Sequence, residues 1–151
     1  MKTLVVYDSL YGNTRAIAQA IGDALPGEVE VLHADRVNPG DLEAADLLVL
    51  GSPTHGSLPS ETMQGLLEKI GAPSRPGAQA ATFDTRLTWG FLERWGGFAA
   101  PKMAEKLEAK GWSIVAPPEG FFVRGLKKGP LKKGEAERAS SWARRLEEGQ
   151  A

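Results

Sequence analysis

A short polar segment near the start of the chain has the composition of an anion-binding loop. Ser9-Leu10-Tyr11-Gly12-Asn13-Thr14 follows an apolar run and precedes a helical pattern. It offers hydroxyls, an amide and a glycine where the first N–H groups of a helix lack intrahelical partners, which favours a phosphate. The segment has neither the lysine of a P-loop nor the dinucleotide pattern Gly-x-Gly-x-x-Gly. It predicts a phosphate monoester held by neutral donors; the alternative is an ordinary helix N-cap at Asn13 or Thr14.

Two later segments combine polar residues with turn-forming or planar ones. Gly51-Ser52-Pro53-Thr54-His55-Gly56-Ser57-Leu58-Pro59 combines two prolines and two glycines, a composition typical of a rigid, sharply turned loop. The third segment, Asp84-Thr85-Arg86-Leu87-Thr88-Trp89, brings a carboxylate, a guanidinium and an indole ring. Trp89 also fits a small apolar helical face together with Phe91 and Trp95, and in that case none of the three contacts a ligand.

The elements that position these segments alternate between strands and helices. Strands are predicted over residues 3–7, 28–33, 46–51, 78–83 and 112–116, the last interrupted at Pro117-Pro118, with residues 119–123 resuming it or extending an edge. Helical spacing is found after the first segment up to Pro26-Gly27 and over residues 62–70, 101–110 and 135–148. This order predicts an α/β fold with a parallel sheet. Ligands of such sheets bind beyond the carboxyl ends of the strands, where all three segments lie.

The first two segments resemble the flavodoxin family. Tyr7-Asp8-Ser9-Leu10-Tyr11-Gly12-Asn13-Thr14, with Ala18 following, is similar to that family's phosphate-binding signature of an aliphatic strand, Ser/Thr-x-Thr-Gly-Asn-Thr and a helix. Tyr11 stands where the family most often has threonine. The resemblance covers essentially the whole chain, and it implies a single domain over residues 1–151, a flavodoxin-like three-layer sandwich with strand order 2-1-3-4-5, and FMN as cofactor.

The resemblance also implies roles for individual residues. The FMN phosphate would bind to Ser9, Leu10, Tyr11, Gly12, Asn13 and Thr14. Isoalloxazine contacts would come from Pro53, Thr54, His55 and Gly56, and in the third segment from Asp84, Thr85, Arg86 and Trp89. The Gly56–Ser57 peptide would be able to turn its carbonyl toward the flavin N5–H, because glycine visits positive φ cheaply. For His55 the alternative is a solvent-facing turn histidine, and for Arg86 it is an ion pair with a surface acid.

The function expected from this resemblance is electron transfer between redox partner proteins, with single electrons passing through a flavin semiquinone. The alternative is an FMN-dependent NAD(P)H or quinone-type oxidoreductase, with a substrate pocket walled by the stretch 84–98. A further alternative is a binding module that keeps the fold without the cofactor. The carrier needs no catalytic side chain and no metal, because the isoalloxazine does the chemistry.

Composition excludes several other classes. The chain has 151 residues, no cysteine, 42% hydrophobic and 25% charged residues, which is typical of one globular domain without disulfides or cysteine-ligated metals. A pI of about 6.1 argues against nucleic acid. The sequence has no Gly-x-Ser-x-Gly nucleophile elbow, which argues against a serine hydrolase. The absence of a long apolar run or a signal peptide predicts a cytoplasmic protein without a membrane span. The resemblance to the flavodoxin family implies a bacterial protein, and we expect a monomer.

Overall fold

The computed structural model describes residues 1–87, 97–124 and 130–149. The strands are β1 (Lys2–Tyr7), β2 (Glu28–His33), β3 (Leu47–Pro53), β4 (Gln79–Leu87), β5 (Ser113–Ile114) and β6 (Glu119–Val123). The helices are α1 (Asn13–Ala24), α2 (Pro39–Leu42), α3 (Glu61–Lys69), α4 (Ala99–Ala109) and α5 (Glu135–Gly149), with a 3₁₀ turn over Ala34–Arg36. Within these residues, no helix is both long and apolar enough to cross a membrane.

All strand pairs of the sheet are parallel, in the order β2-β1-β3-β4, and the far edge of β4 pairs with both β5 and β6. β5 pairs with Gln79 and Ala80, and β6 pairs with the stretch from Phe83 to Leu87. The fifth position is therefore filled by two segments, separated by residues that include Pro117 and Pro118, since proline has no N–H for the ladder. The predicted order 2-1-3-4-5 and the interruption of the fifth strand are both confirmed.

Strand β3 is the centre of the core. Leu47, Leu48, Val49 and Leu50 are each 0% exposed, because helices cover both faces of the sheet. Leu48 and Leu50 belong to the cluster beneath α3 and α4, while Leu47 and Val49 belong to the cluster beneath α1 and α5. The sheet is thus held rigidly between two helical layers, and its carboxyl edge is a fixed platform for the loops.

The bounds of several elements differ from those predicted, among them those of β4 and α4. β4 continues four residues beyond Phe83 to Leu87, because β6 pairs with its polar end. Helix α4 begins at Ala99 and not at residue 101 as predicted, so Pro101 is not its first residue. Pro101 still lies in the first turn, where its missing N–H breaks no intrahelical hydrogen bond.

Helix α5 is attached to the sheet edge by a buried carboxylate. Glu135, with its side chain 10% exposed, accepts the Phe122 N–H at 2.7 Å and Nε of Arg138 at 3.0 Å. Arg138 in turn pairs with Glu119 of β6 at 3.2 Å. Although burial alone would raise it, these hydrogen bonds hold the pKa of the Glu135 carboxyl below its usual range.

We expect Glu135→Gln to lower the free energy of unfolding at pH 7 by about 1.5–3 kcal/mol, the scale of a hydrogen bond to a charged group. Because the folded pKa is depressed, this stability is present above the unfolded pKa of about 4.3 and is lost as the pH falls through the folded pKa. Urea unfolding from pH 7 to acid should therefore show the two proteins converging. Glu137→Gln, an exposed change on the same helix, is the control; curves for Glu135→Gln that stay parallel to wild type would contradict the assignment.

Candidate functional site

The first loop ends in a glycine that opens helix α1. Gly12 is the N-cap, with φ +92°, and it has no side chain with which to satisfy the helix N–H groups. Its own N–H donates to Ser9 Oγ at 2.9 Å, and no atom lies within 4 Å of where a Cβ would be. Asn13 and Thr14 lie inside the helix, so the alternative that one of them is the N-cap is wrong. The loop presents helix N–H groups and open space together, as a bound anion requires.

A buried pair of hydroxyls joins this loop to the end of β4. Thr14 Oγ1 lies 2.8 Å from Thr85 Oγ1, and the two residues are 1% and 5% exposed. A hydroxyl donates one hydrogen bond and accepts two, so Thr14 can accept from Thr85 and still donate to a ligand. The predicted ring contact of Thr85 stays a prediction, since its hydroxyl lies in this pair.

The second segment forms a tight hairpin turn. His55 N–H donates to the Leu58 carbonyl at 2.8 Å and Leu58 N–H donates back at 3.0 Å. Both central residues have positive φ, Gly56 at +54° and Ser57 at +71°, which is the type I′ geometry. Gly56 is exposed, with no atom within 4 Å of its missing Cβ, and Thr54 N–H donates to the Thr85 carbonyl at 3.0 Å. The turn is therefore fixed beside β4 with its glycine peptide facing open space.

A buried ion pair fixes the third segment. Asp84 is 0% exposed and accepts Nε and Nη2 of Arg86, each at 2.7 Å, and the Ala100 N–H at 2.9 Å. Burial raises the pKa of the Asp84 carboxyl above its usual range, against the lowering effects of Arg86, of the Ala100 N–H and of a hydrogen bond from Thr54. The Thr54 hydroxyl also accepts the Ala99 N–H at 3.1 Å. These polar groups join the second segment, β4 and the start of α4 into one scaffold.

Arg86 completes this scaffold. Its guanidinium lies 3.5 Å above the centre of the Phe98 ring, and a Cβ on Gly120 would lie 2.1 Å from its Nε. The sequence did not predict Asp84 as the partner of Arg86, because the predicted strand ends at Phe83. The signal was the two-residue spacing of Asp84 and Arg86, which places both on one face of a strand. Contacts of Thr54, Asp84 and Arg86 with a ring stay predictions.

Sequence analysis also missed a histidine that supports the first loop. His33 Nε2 lies 3.2 Å from Asp8 Oδ1, and its Nδ1 lies 2.6 Å from Asp35 Oδ1. The same Asp8 oxygen accepts the Ser9 N–H at 3.0 Å, so the end of β2 is linked to the start of the loop. The parallel register of β1 and β2, which pairs Tyr7 with His33, places His33 beside Asp8 at the start of the loop.

Comparison with known proteins decides the family. The flavodoxin family model matches residues 5–142. The chain belongs to the flavodoxin family. A flavodoxin of Aquifex aeolicus (strain VF5) is 36% identical over 73 residues, 46% of this chain, and the match covers only 40% of that relative's length.

Solved structures show the same flavodoxin fold. A flavodoxin from the domain Archaea superimposes with a TM-score of 0.78 at 23% identity, covering 100% of both chains. Oxidised Flavodoxin 1 from Bacillus cereus gives 0.79 at 20% identity, covering 98% of both. Rubredoxin oxygen:oxidoreductase from Desulfovibrio gigas gives 0.74 at 20% identity, covering 99% of this chain and 37% of that one. At these identities the likeness concerns the fold alone.

Flavodoxin family proteins bind FMN, and the predicted cofactor is confirmed at the level of the family. The first loop fits the FMN phosphate. The N-cap of α1 is a left-handed glycine without a side chain, and open space and hydroxyl groups lie beside the helix N-terminus. Leu10 and Tyr11 are 61% and 43% exposed beside it. Trp89 lies outside the described residues, as do Phe91 and Trp95, so the predicted stacking of Trp89 stays a prediction.

Proposed function

We propose that this flavodoxin family protein binds FMN and carries single electrons between protein redox partners. The flavin supplies the electron chemistry, passing through its semiquinone, while the protein binds it and sets its surroundings. The observation that supports this best is the His55–Leu58 turn, whose Gly56 is exposed, has positive φ and has no atom within 4 Å of the position of a Cβ. Such a turn offers a carbonyl to a flavin N5–H without any acid or base on a side chain.

In this proposal the first loop holds the FMN phosphate. Helix N–H groups behind Gly12 and the hydroxyls of Ser9 and Thr14 donate to it, and the dipole of α1 favours its charge. The nearest cation in sequence, Arg15, is exposed on the first turn of α1. Binding by neutral donors gives a phosphate site that recognises FMN over riboflavin by hydrogen bonds.

The apolar side chains around the loops favour a carrier over an enzyme. Leu10, Tyr11 and Leu58 are 61%, 43% and 46% exposed, and they lie in the first loop and the hairpin turn. Exposed large apolar side chains at a cofactor site suit transient docking of another protein. An FMN-dependent NAD(P)H or quinone-type oxidoreductase needs instead a pocket over the ring. We further propose that the protein works as a cytoplasmic monomer.

We expect Gly56→Ala to leave FMN affinity within about threefold of wild type, since no atom crowds the added methyl group. The same change restricts the backbone conformations on each side of the Gly56–Ser57 peptide. An alanine with positive φ is roughly 1 kcal/mol less favourable than a glycine, so the peptide rotates less freely. The fraction of semiquinone at half reduction should fall severalfold. Anaerobic reductive titration followed by absorbance measures this fraction, and quenching of flavin fluorescence measures the affinity.

Gly65→Ala is the matched control for this experiment. Gly65 lies within α3, also with no atom within 4 Å of a built Cβ, and its φ is not positive. Alanine there should stabilise the helix by about 1 kcal/mol and leave the semiquinone fraction unchanged. An unchanged fraction in Gly56→Ala would remove Gly56 from the switching role. Rapid reduction of the bound flavin by NAD(P)H alone would instead favour the oxidoreductase.

A further inference from the structure

A lysine on α4 reaches across to the hairpin turn. Lys102 lies in the first turn of α4, half-buried, and its Nζ donates to the Ser57 carbonyl at 2.6 Å. Lys102 and Ser57 are 45 residues apart in the chain, so this contact depends on the packing of α4 beside the second segment. A charge-assisted hydrogen bond of this length is among the stronger kinds.

The residue that Lys102 holds is strained. Ser57 has φ +71°, and among the described residues it is the one non-glycine with positive φ. A left-handed residue that carries a Cβ persists only where its surroundings hold it. Ser57 is 7% exposed, whereas the neighbouring Gly56 is exposed. One side of the turn is therefore anchored and the other is open.

We propose that Lys102 is a positioning residue for this turn, an inference that rests on the proposed FMN function. By holding the Ser57 carbonyl it fixes the Ser57–Leu58 peptide and confines rotation to the Gly56–Ser57 peptide. It also places a positive charge on the turn that faces the flavin. A positive charge there favours the more negative state of the flavin, so Lys102 makes the second electron easier to accept.

Helix α4 offers a matched control. Lys106 is exposed one turn farther along α4 and lines the same surface groove as Lys102, Leu58 and Pro59. Lys106→Met therefore removes the same charge from the same helix but leaves the Lys102 hydrogen bond to the Ser57 carbonyl in place. Lys102→Met keeps the aliphatic length of the side chain, and Lys102→Arg keeps both charge and donor.

The first measurement uses the protein without FMN. The Leu58 N–H closes the turn by donating to the His55 carbonyl at 3.0 Å, so its amide hydrogen exchange reports whether the turn is held. We expect Lys102→Met to raise the exchange rate of Leu58 about tenfold. Lys106→Met and Lys102→Arg should leave it near wild type. An unchanged rate in Lys102→Met overturns the anchor, whatever the protein does with flavin.

The second measurement uses the FMN-loaded protein. Lys102→Met should disfavour uptake of the second electron about tenfold, which corresponds to a potential lower by about 59 mV for a one-electron couple. Lys106→Met should change it less than about twofold, because an exposed charge is screened by salt. A shift in Lys102→Met no larger than in Lys106→Met overturns the effect on the flavin. Failure of every variant and of wild type to bind FMN contradicts the proposed function, while the exchange rates still decide the anchor.

Discussion

Asp84→Ala is expected to lower the free energy of unfolding by about 3–5 kcal/mol, the scale for removing one partner of a buried ion pair. The substitution leaves the Arg86 guanidinium, with its side chain 16% exposed, without the two hydrogen bonds that Asp84 accepts from it. It also removes the acceptor of the Ala100 N–H at the start of α4. Urea unfolding monitored by circular dichroism measures the loss.

The raised pKa of Asp84 gives this prediction a second part. Burial raises that pKa more than the attraction of Arg86 lowers it, so burying the charge pair costs free energy. Removing one partner alone costs more, because it leaves the other charge without a counter-charge. We therefore expect the double variant Asp84→Leu with Arg86→Met to recover the part of the lost stability that comes from the unpaired Arg86 charge, but not the part that comes from the missing acceptor of the Ala100 N–H. Asp23→Ala, an exposed change on α1, should cost less than about 0.5 kcal/mol. A loss of that small size in Asp84→Ala would contradict the role assigned to the pair.

Thr14→Val is expected to weaken FMN binding about 10- to 100-fold, because a hydrogen bond to a charged group contributes about 1.5–3 kcal/mol. Riboflavin, which has no phosphate, should lose less than about threefold. Valine keeps the shape of threonine in a position that is 1% exposed, so the change removes little besides the hydroxyl. Fluorescence titration with FMN and with riboflavin compares the two ligands directly.

Thr85→Val separates this role from the hydroxyl pair. Both substitutions break the 2.8 Å contact between Thr14 and Thr85, and each leaves one buried hydroxyl without that partner. We expect similar losses of stability in both variants but a large loss of FMN affinity in Thr14→Val alone. Equal losses for FMN and riboflavin, or equal losses of FMN affinity in the two variants, would show that Thr14 does not hold the phosphate.

Much of the fold could be predicted because its signals are local. The continuous apolar run Leu47–Leu50 predicts a strand buried on both faces, and alternation of strands with helices predicts parallel pairing. Parallel pairing then brings residues 8–14, 52–58 and 84–87 to one edge of the sheet. Local sequence patterns therefore predict where the three segments of the candidate site lie.

The contacts that fix the site depend on neighbours distant in sequence. Asp84 and Arg86 have the sequence pattern of loop residues, because charged side chains rarely lie in buried strands. In the structure they belong to β4, because that end of the strand pairs with β6. Gly120 has no local signal at all, yet the space that a Cβ would need is filled by the Arg86 guanidinium. Lys102 likewise resembles an ordinary surface lysine until α4 is packed beside the turn. Sequence patterns thus located the site, and tertiary packing determined which side chains hold it together.

We propose that this protein binds FMN and exchanges electrons one at a time. An absorption spectrum of the FMN-loaded protein during stepwise anaerobic reduction tests this proposal directly. We expect a broad long-wavelength band of the neutral semiquinone to rise and then fall as reduction proceeds. Direct bleaching to the fully reduced flavin without that band, or failure of the purified protein to retain FMN, would contradict the account.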